Sequence, residues 1–304
     1  MIIDSHAHYS VFQFNNQFPF LDEQDGKLIR THGTRKELFE RMREKGIYLF
    51  IEPSVRFENL DTQMAFAKEN PLLVLPAVGV HPKYCLYAPW EEREKIRRLA
   101  IENDVIAIGE TGLDFSISLT DEERETQKNW FLYQISLARE LHLPLILHTR
   151  DADEEMLEIL KNEKFPYGGV VHCFGNDLST AKAYIDLGFA LGIGGKLLQN
   201  NEEATILRET VRQVPLSSIL VETDAPYVFP DLAKIDLSKK QKSKIRNTSL
   251  ILPLVIDEIA HLKENFPNFL ENSEIAHLQK NFADLIKNTV YENTIRIFHL
   301  RGNE

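Results

Sequence analysis

Cysteine is scarce in this chain: Cys85 and Cys173 are the two in 304 residues. A secreted disulfide scaffold carries more, so free thiols in a reducing compartment are expected. Long apolar runs are missing as well. No segment approaches the roughly 18 apolar residues of a membrane span, and none is rich enough in Ser, Gly or Pro to read as a linker. The opening MIIDSHAHYS has neither the basic region nor the apolar stretch of a signal peptide. A cytoplasmic protein with no membrane association is expected. Positive charge is in deficit too, with a formal net charge of -11. That argues against a generally basic nucleic-acid-binding surface, but bound cations and a few local Lys or Arg residues can reverse the field in a cleft.

What the chain does have is alternation. Short apolar runs at Ile2–Ser5, Ile47–Glu52, Leu72–Val78, Val105–Gly109, Leu143–Leu147, Gly169–Val171, Phe189–Ile193 and Ile219–Glu222 suit strands buried on both faces of a parallel sheet. Helical patterns fall between them near 34–45, 58–69, 90–103, 121–142, 152–162, 178–187 and 201–213. Eight strand candidates with intervening helices predict an α/β fold, a TIM-like (β/α)8 barrel, with a doubly wound sheet as the structural alternative. Two more helical patterns, about 249–262 and 272–296, add C-terminal helices. A single domain over 1–304 is expected, with an extended loop at about 10–34 that carries Phe12, Phe14, Phe18 and Phe20.

Histidines and acids gather at the strand ends. Asp4, His6 and His8 end or follow the first strand, His81 follows the third and Glu110 the fourth. His148 ends the fifth, His172 the sixth, and Glu222 and Asp224 the eighth. Strand C-termini of a parallel barrel converge on one face, where barrel active sites form. Burying several unpaired imidazoles and carboxylates together is costly unless ions or a hydrogen-bond network compensate them, so a metal site is expected. His6 and His8, two apart, present both rings on one strand face. Glu110 and Asp224 could complete that site or bridge it to a second ion. Oxygen and nitrogen donors without committed thiolates suit Zn, Mn or Mg. Cys173 reads as a small buried apolar residue.

The motifs Asp4-Ser5-His6-Ala7-His8, Gly79-Val80-His81-Pro82, Gly109-Glu110-Thr111-Gly112-Leu113-Asp114, His148-Thr149-Arg150-Asp151-Ala152, His172-Cys173-Phe174 and Glu222-Thr223-Asp224-Ala225-Pro226 occur in one order across most of the chain. Together they resemble the TatD family of metal-dependent hydrolases, within the amidohydrolase-like superfamily. The resemblance implies a TIM-like barrel, two divalent cations and DNase or related phosphoester hydrolysis, often at a DNA 3′ end or on single strands. It implies that His6, His8 and Asp224 hold one ion, that Glu110 bridges, that His148 and His172 serve the second, and that His81 and Arg150 lie near the substrate.

Roles follow from side-chain chemistry. Asp224 could orient the attacking water and accept its proton, in competition with a purely ligating role. Arg150 offers a bidentate phosphate contact or a salt bridge to Asp151 or Asp153. His81 contacts phosphate or anchors its own loop. Glu222 orients a ligating histidine, and Asp114 orients the Glu110 loop. Lys234–Arg246 could contact a nucleic-acid backbone or be a solvated loop. The Phe-rich loop could stack a base, pack over the barrel rim or meet a protein partner. The loop at 10–34, Arg246-Asn247-Thr248-Ser249 in place of Arg-Asn-Glu-Pro, and Gly175-Asn176-Asp177 depart from the family pattern. A metal-dependent amidohydrolase or esterase acting on a small molecule, and a partner-dependent subunit, are the alternatives.

Overall fold

A computed structural model describes residues 1–235, 237–264 and 282–300. Eight parallel strands form one sheet in chain order: β1 (Ile2–Asp4), β4 (Ile47–Pro53), β5 (Val74–Val78), β6 (Ala107–Asp114), β7 (Leu145–Arg150), β8 (Gly169–Val171), β9 (Phe189–Ile193) and β10 (Ile219–Val221). The first and last strands meet. Ser5 N donates to Val221 O at 2.9 Å, and Ala7 and Ala225 form a parallel bridge. The fold is the expected α/β, TIM-like (β/α)8 architecture with additional C-terminal helices. The tail pattern near 249–262 is α10 (Leu252–Glu264). That at 272–296 is α11 (Phe282–Ile297) where it is described, and its residues 272–281 lie outside the described ones. Among the described residues no helix is long and apolar enough to cross a membrane.

The chain forms two compact units, the first Met1–Phe50, Cys173–Lys182 and Gly192–Thr294, the second Ile51–His172, Ala183–Leu191 and Ile295–Glu304. In the first unit, the segment expected as an extended loop is folded. It is an antiparallel hairpin of β2 (Phe18–Gln24) and β3 (Lys27–Gly33), entered through a 3-10 turn at Phe12–Phe14. Asp25 and Gly26 turn it with φ of 51° and 75°, the backbone of a type I′ turn. Phe14, Phe18 and Phe20 are buried in a chain of ring contacts that begins at Tyr9, with centroids 4.7, 5.1 and 5.5 Å apart. Burying each phenylalanine is worth about 2 kcal/mol. Packing therefore accounts for three of the four, and Phe12 alone stays exposed. The helix α1 (Arg35–Glu44) starts at once from Thr34, whose hydroxyl and Glu37 make a capping box.

A buried lysine in this unit gives a pH signature. Lys263, near the end of α10, donates to the carbonyls of Arg212 and Val214, and burial pulls its ammonium down to about 8. Between pH 8 and its ordinary value of 10.5, the unfolded chain binds more protons at this site than the folded one. Stability from Lys263 therefore rises with pH through that window, by about 3 kcal/mol. Urea unfolding of the wild type and Lys263→Met from pH 7.5 to 10.5 is expected to show this rise in the difference between the two. A flat difference would refute it.

In the second unit, α5 (Asp121–Leu141) carries the positional load. Thr120 and Glu123 cap its start, and Trp130, Phe131, Ile135, Leu137 and Ala138 bury one face. On that face Gln127 and Gln134, seven residues apart, grip strand ends. Gln127 accepts from Asp114 N (2.9 Å) and donates to Asp114 O (3.1 Å). Gln134 accepts from Val80 N (2.8 Å) and donates to Val80 O (3.2 Å). Backbone groups at the last residue of β6, Asp114, and just past β5, before His81, thus find buried partners.

Candidate metal centre

In the first unit, His6 and His8 extend the line of β1 with their Nε2 atoms 3.1 Å apart. Asp224 Oδ1 lies 3.7 Å from the first and 3.4 Å from the second. A cation with ligand bonds near 2.1 Å holds neighbouring ligands about 3.0 Å apart in an octahedron and about 3.4 Å in a tetrahedron. The three separations have that scale, so the donors fit one face of a divalent-cation site. Backbone bonds set the register: Asp224 N donates to His6 O (2.8 Å) and His8 N to Ala225 O (2.7 Å). Asp224 itself sits at φ 53°, a left-handed conformation that Asp tolerates better than most residues.

Asp4 is the clamp beneath this face. Its buried carboxylate accepts from His6 N (3.2 Å), Thr223 N (3.0 Å), Thr223 Oγ1 (2.6 Å) and Ser249 Oγ (2.6 Å). Burial outweighs those bonds and pushes its carboxyl up to about 6. Thr223, and Ser249 at a point of departure from the family pattern, thus hold Asp4 in place. Tyr9 joins them, its hydroxyl 2.8 Å from Ser249 Oγ and accepting from Ser249 N at 2.7 Å.

Glu222 accepts from Cys173 N at 2.5 Å, the amide just past His172. Burial, then the neighbouring Asp224 charge, drives its carboxyl well above the usual carboxylate range. Lys196, which no sequence signal marked, donates to Cys173 O at 2.7 Å. Burial opposes its charge, but Cys173, Glu222 and Asp224 raise its ammonium above the ordinary value. Cys173 is a free thiol that burial pushes up to about 12, consistent with an inert side chain.

The second unit holds a second face. His172 Nε2 lies 2.7 Å from Glu110 Oε1, His148 Nδ1 lies 3.0 Å from His172 Nε2, and His148 Nδ1 lies 3.7 Å from Glu110 Oε1. The other nitrogen of His148, Nε2, is 3.0 Å from Asp114 Oδ2. Asp114 also receives Lys83 Nζ (3.2 Å), Ser116 N (3.0 Å) and Ser116 Oγ (2.5 Å). Burial would raise Asp114, yet the bonds to His148 and Ser116 prevail and hold it well below the carboxylate range. Burial likewise works against charge on His148, and the bonds to Asp114 and Glu110 overcome it. The Asp114 carboxylate accepts a hydrogen bond from Nε2–H and leaves the Nδ1 lone pair for a cation. Asp114 therefore orients His148 directly; the sequence reading had aimed it at the Glu110 loop. Its spacing of four from Glu110 on one strand is the signal that places both on one face.

His81, His148 and Asp114 also converge, but Asp114 is committed to His148 and Lys83. His81 caps the short α3 (Pro82–Cys85): its Nδ1 accepts from Lys83 N at 3.0 Å, and its ring centroid is 4.1 Å from that of His148. Burial, reinforced by His148, keeps it neutral. The anchoring role thus exists, and an Nδ1 acceptor leaves the proton on Nε2. Arg150 ends β7 exposed, its carbonyl accepting from Phe115 N at 2.9 Å. Among the described residues its guanidinium makes no ion pair.

The two donor sets, each of two imidazoles and one carboxylate, fit two divalent cations. Similarity to known proteins agrees. The 3'-5' ssDNA/RNA exonuclease TatD of Rahnella is 34% identical over 239 residues, 78% of this chain and 87% of that protein. The uncharacterized metal-dependent hydrolase YcfH of Escherichia coli is 44% identical over 158 residues, 52% of this chain and 57% of that one. The crystal structure of YJJV, a TatD homolog from Escherichia coli, superposes with a TM-score of 0.76 at 25% identity, covering 99% of this chain and 98% of that one. Residues 3–299 match the family described as TatD related DNase, and the chain belongs to that family of metal-dependent hydrolases.

Proposed function

We propose that this protein hydrolyses phosphodiester bonds of DNA, removing nucleotides from a single-stranded 3′ end. The observation that carries the reading is the pair of His/His/carboxylate faces at strand ends, each with ligand spacings of 2.7–3.7 Å. The relative named as a 3'-5' ssDNA/RNA exonuclease supports the substrate class and the polarity. In this reading His6, His8 and Asp224 hold one cation, and Glu110, His148 and His172 the other. Bound there, divalent cations lower the pKa of a water and neutralise charge on a phosphodiester.

The chain's own groups do the rest. Asp224 orients the attacking water and accepts its proton. Asp114 fixes the His148 tautomer. His81 presents its Nε2–H to a phosphate oxygen, and Arg150, with no ion pair to break, offers a planar fork to a phosphate. Free thiols at Cys85 and Cys173 support a cytoplasmic location. A protein partner at the aromatic loop rests on Phe12 alone, since the other three phenylalanines are packed.

The test uses metal-stripped protein restored with Mg, Mn or Zn and given 3′- or 5′-labelled single-stranded DNA. Stepwise mononucleotide loss from the 3′ end, absent from stripped protein, is the expected result. Folded, loaded protein that cleaves a small ester or amide and no polynucleotide would replace this reading with the amidohydrolase one.

A further inference from the structure

The most concentrated positive charge lies where neither donor set uses it. Residues 239–246 carry Lys239, Lys240, Lys242, Lys244 and Arg246 without one acid, in a protein of net charge -11. Lys239, Lys240 and Lys244 are exposed. The segment is built in. A capping box between Ser238 and Gln241 starts its helical turn, α9 (Lys239–Lys242). At its other end Arg246 N donates to Pro19 O and Arg246 O accepts from Leu21 N, both at 2.9 Å, so the run is hydrogen-bonded to the hairpin strand β2. The next residue returns to the metal-binding face: Asn247 N donates to Pro226 O (3.2 Å) and its Nδ2 to Thr223 O (2.9 Å) and Val228 O (3.1 Å). One residue thus separates the basic run from the backbone that carries Asp224.

An aromatic face stands at that junction. Tyr227 is 45% exposed, and its ring centroid is 6.2 Å from that of His8. Its hydroxyl accepts from Gln13 Nε2 at 3.3 Å, which ties it to the turn that enters the hairpin. Single-stranded nucleic acid is bound by cations on its phosphates and aromatic rings on its bases. Both lie here in sequence toward the ligands. A duplex would keep its base faces stacked away from Tyr227.

Resting on the nuclease reading, we infer that residues 239–246 and Tyr227 form the lead-in track for a single strand. The lysines engage phosphates upstream of the scissile bond, and Tyr227 stacks on a base at the reacting end.

Fluorescence anisotropy of the full-length, metal-restored protein tests this with labelled 5-mer and 20-mer DNA, their 3′ linkages phosphorothioate to suppress cleavage. Each lysine–phosphate contact contributes about 0.7 to the slope of log K against log salt on a single strand. The triple variant Lys240→Ala/Lys242→Ala/Lys244→Ala is expected to lower that slope by about 2. It should also bind the 20-mer about tenfold more weakly and lose most of the 20-mer's advantage over the 5-mer. Tyr227→Leu is expected to weaken both lengths, by about tenfold. Lys68→Ala/Lys161→Ala/Lys182→Ala removes equal charge elsewhere and should keep the wild-type slope. A triple variant that matches wild type, while wild type degrades DNA, overturns the track and leaves the nuclease reading standing. So does a control that falls equally, since the effect is then net charge. A wild type that neither binds nor degrades either strand overturns both.

Discussion

Asp224→Asn is expected to cut turnover by about 10³-fold or more while leaving the fold intact. Loss of a general base alone costs about 10²–10⁴, and here the substitution also removes an anionic donor from the His6/His8 face. Asparagine keeps the volume and tolerates the left-handed backbone at φ 53°, so the bonds from Asp224 N to His6 O and from Tyr227 N to Asp224 O survive. The metal-free variant should be the more stable one, because the Asp224 charge is one cause of the raised carboxyl of Glu222. Turnover at saturating metal, metal content by mass spectrometry and apo-protein melting separate the effects. Turnover within tenfold of wild type at full loading would remove Asp224 from the chemistry.

Gly112→Ala is expected to be among the most damaging single methyl additions in the second unit. Gly112 lies in β6 at φ 137°, and a Cβ there would stand 2.1 Å from His148 O and 2.7 Å from Met156 Cε. The first of these is backbone of β7, paired in register with Gly112 itself, and cannot turn aside. Forcing the strands apart moves His148 away from Glu110 and Asp114 together. A loss of about 4 kcal/mol or more, with weakened cation binding at His148 and His172, is expected from urea unfolding and calorimetric metal titration. Gly26→Ala is the control. It shares a positive φ of 75° but meets nothing within 4 Å, so it should cost about 1 kcal/mol. Equal losses at the two positions would show that backbone conformation, not the clash, governs Gly112.

These effects explain why parts of the site were legible in the sequence. A buried parallel strand is an uninterrupted apolar run, and its polar terminus stands out against it; His148 after Leu145-Ile146-Leu147 is the clearest case. The hairpin was not read because Pro19, Asp22 and Glu23 break the apolar alternation, although Asp25-Gly26 carries the turn signal. Gln127 and Gln134 were hidden for another reason. Their spacing suits the apolar face of α5, but an amide in that position reads as solvent-facing until its backbone partners at Asp114 and Val80 are known. Lys83 and Lys196 share that obscurity: a lysine's sequence neighbours do not say which carboxylate or carbonyl it reaches.

The clamp at Asp4 also bears on when the protein becomes competent during its synthesis. Asp4 is joined to Thr223 and Ser249, 219 and 245 residues downstream, and His6 and His8 await Asp224 over a similar interval. A ribosome releases the two histidines early and their carboxylate partner late. No nascent chain halted before residue 224 holds the first donor set, and none halted before 249 holds its full clamp. This donor set therefore forms only after the last strand has been made rather than accumulating along the way, and fragments that end before residue 224 lack it.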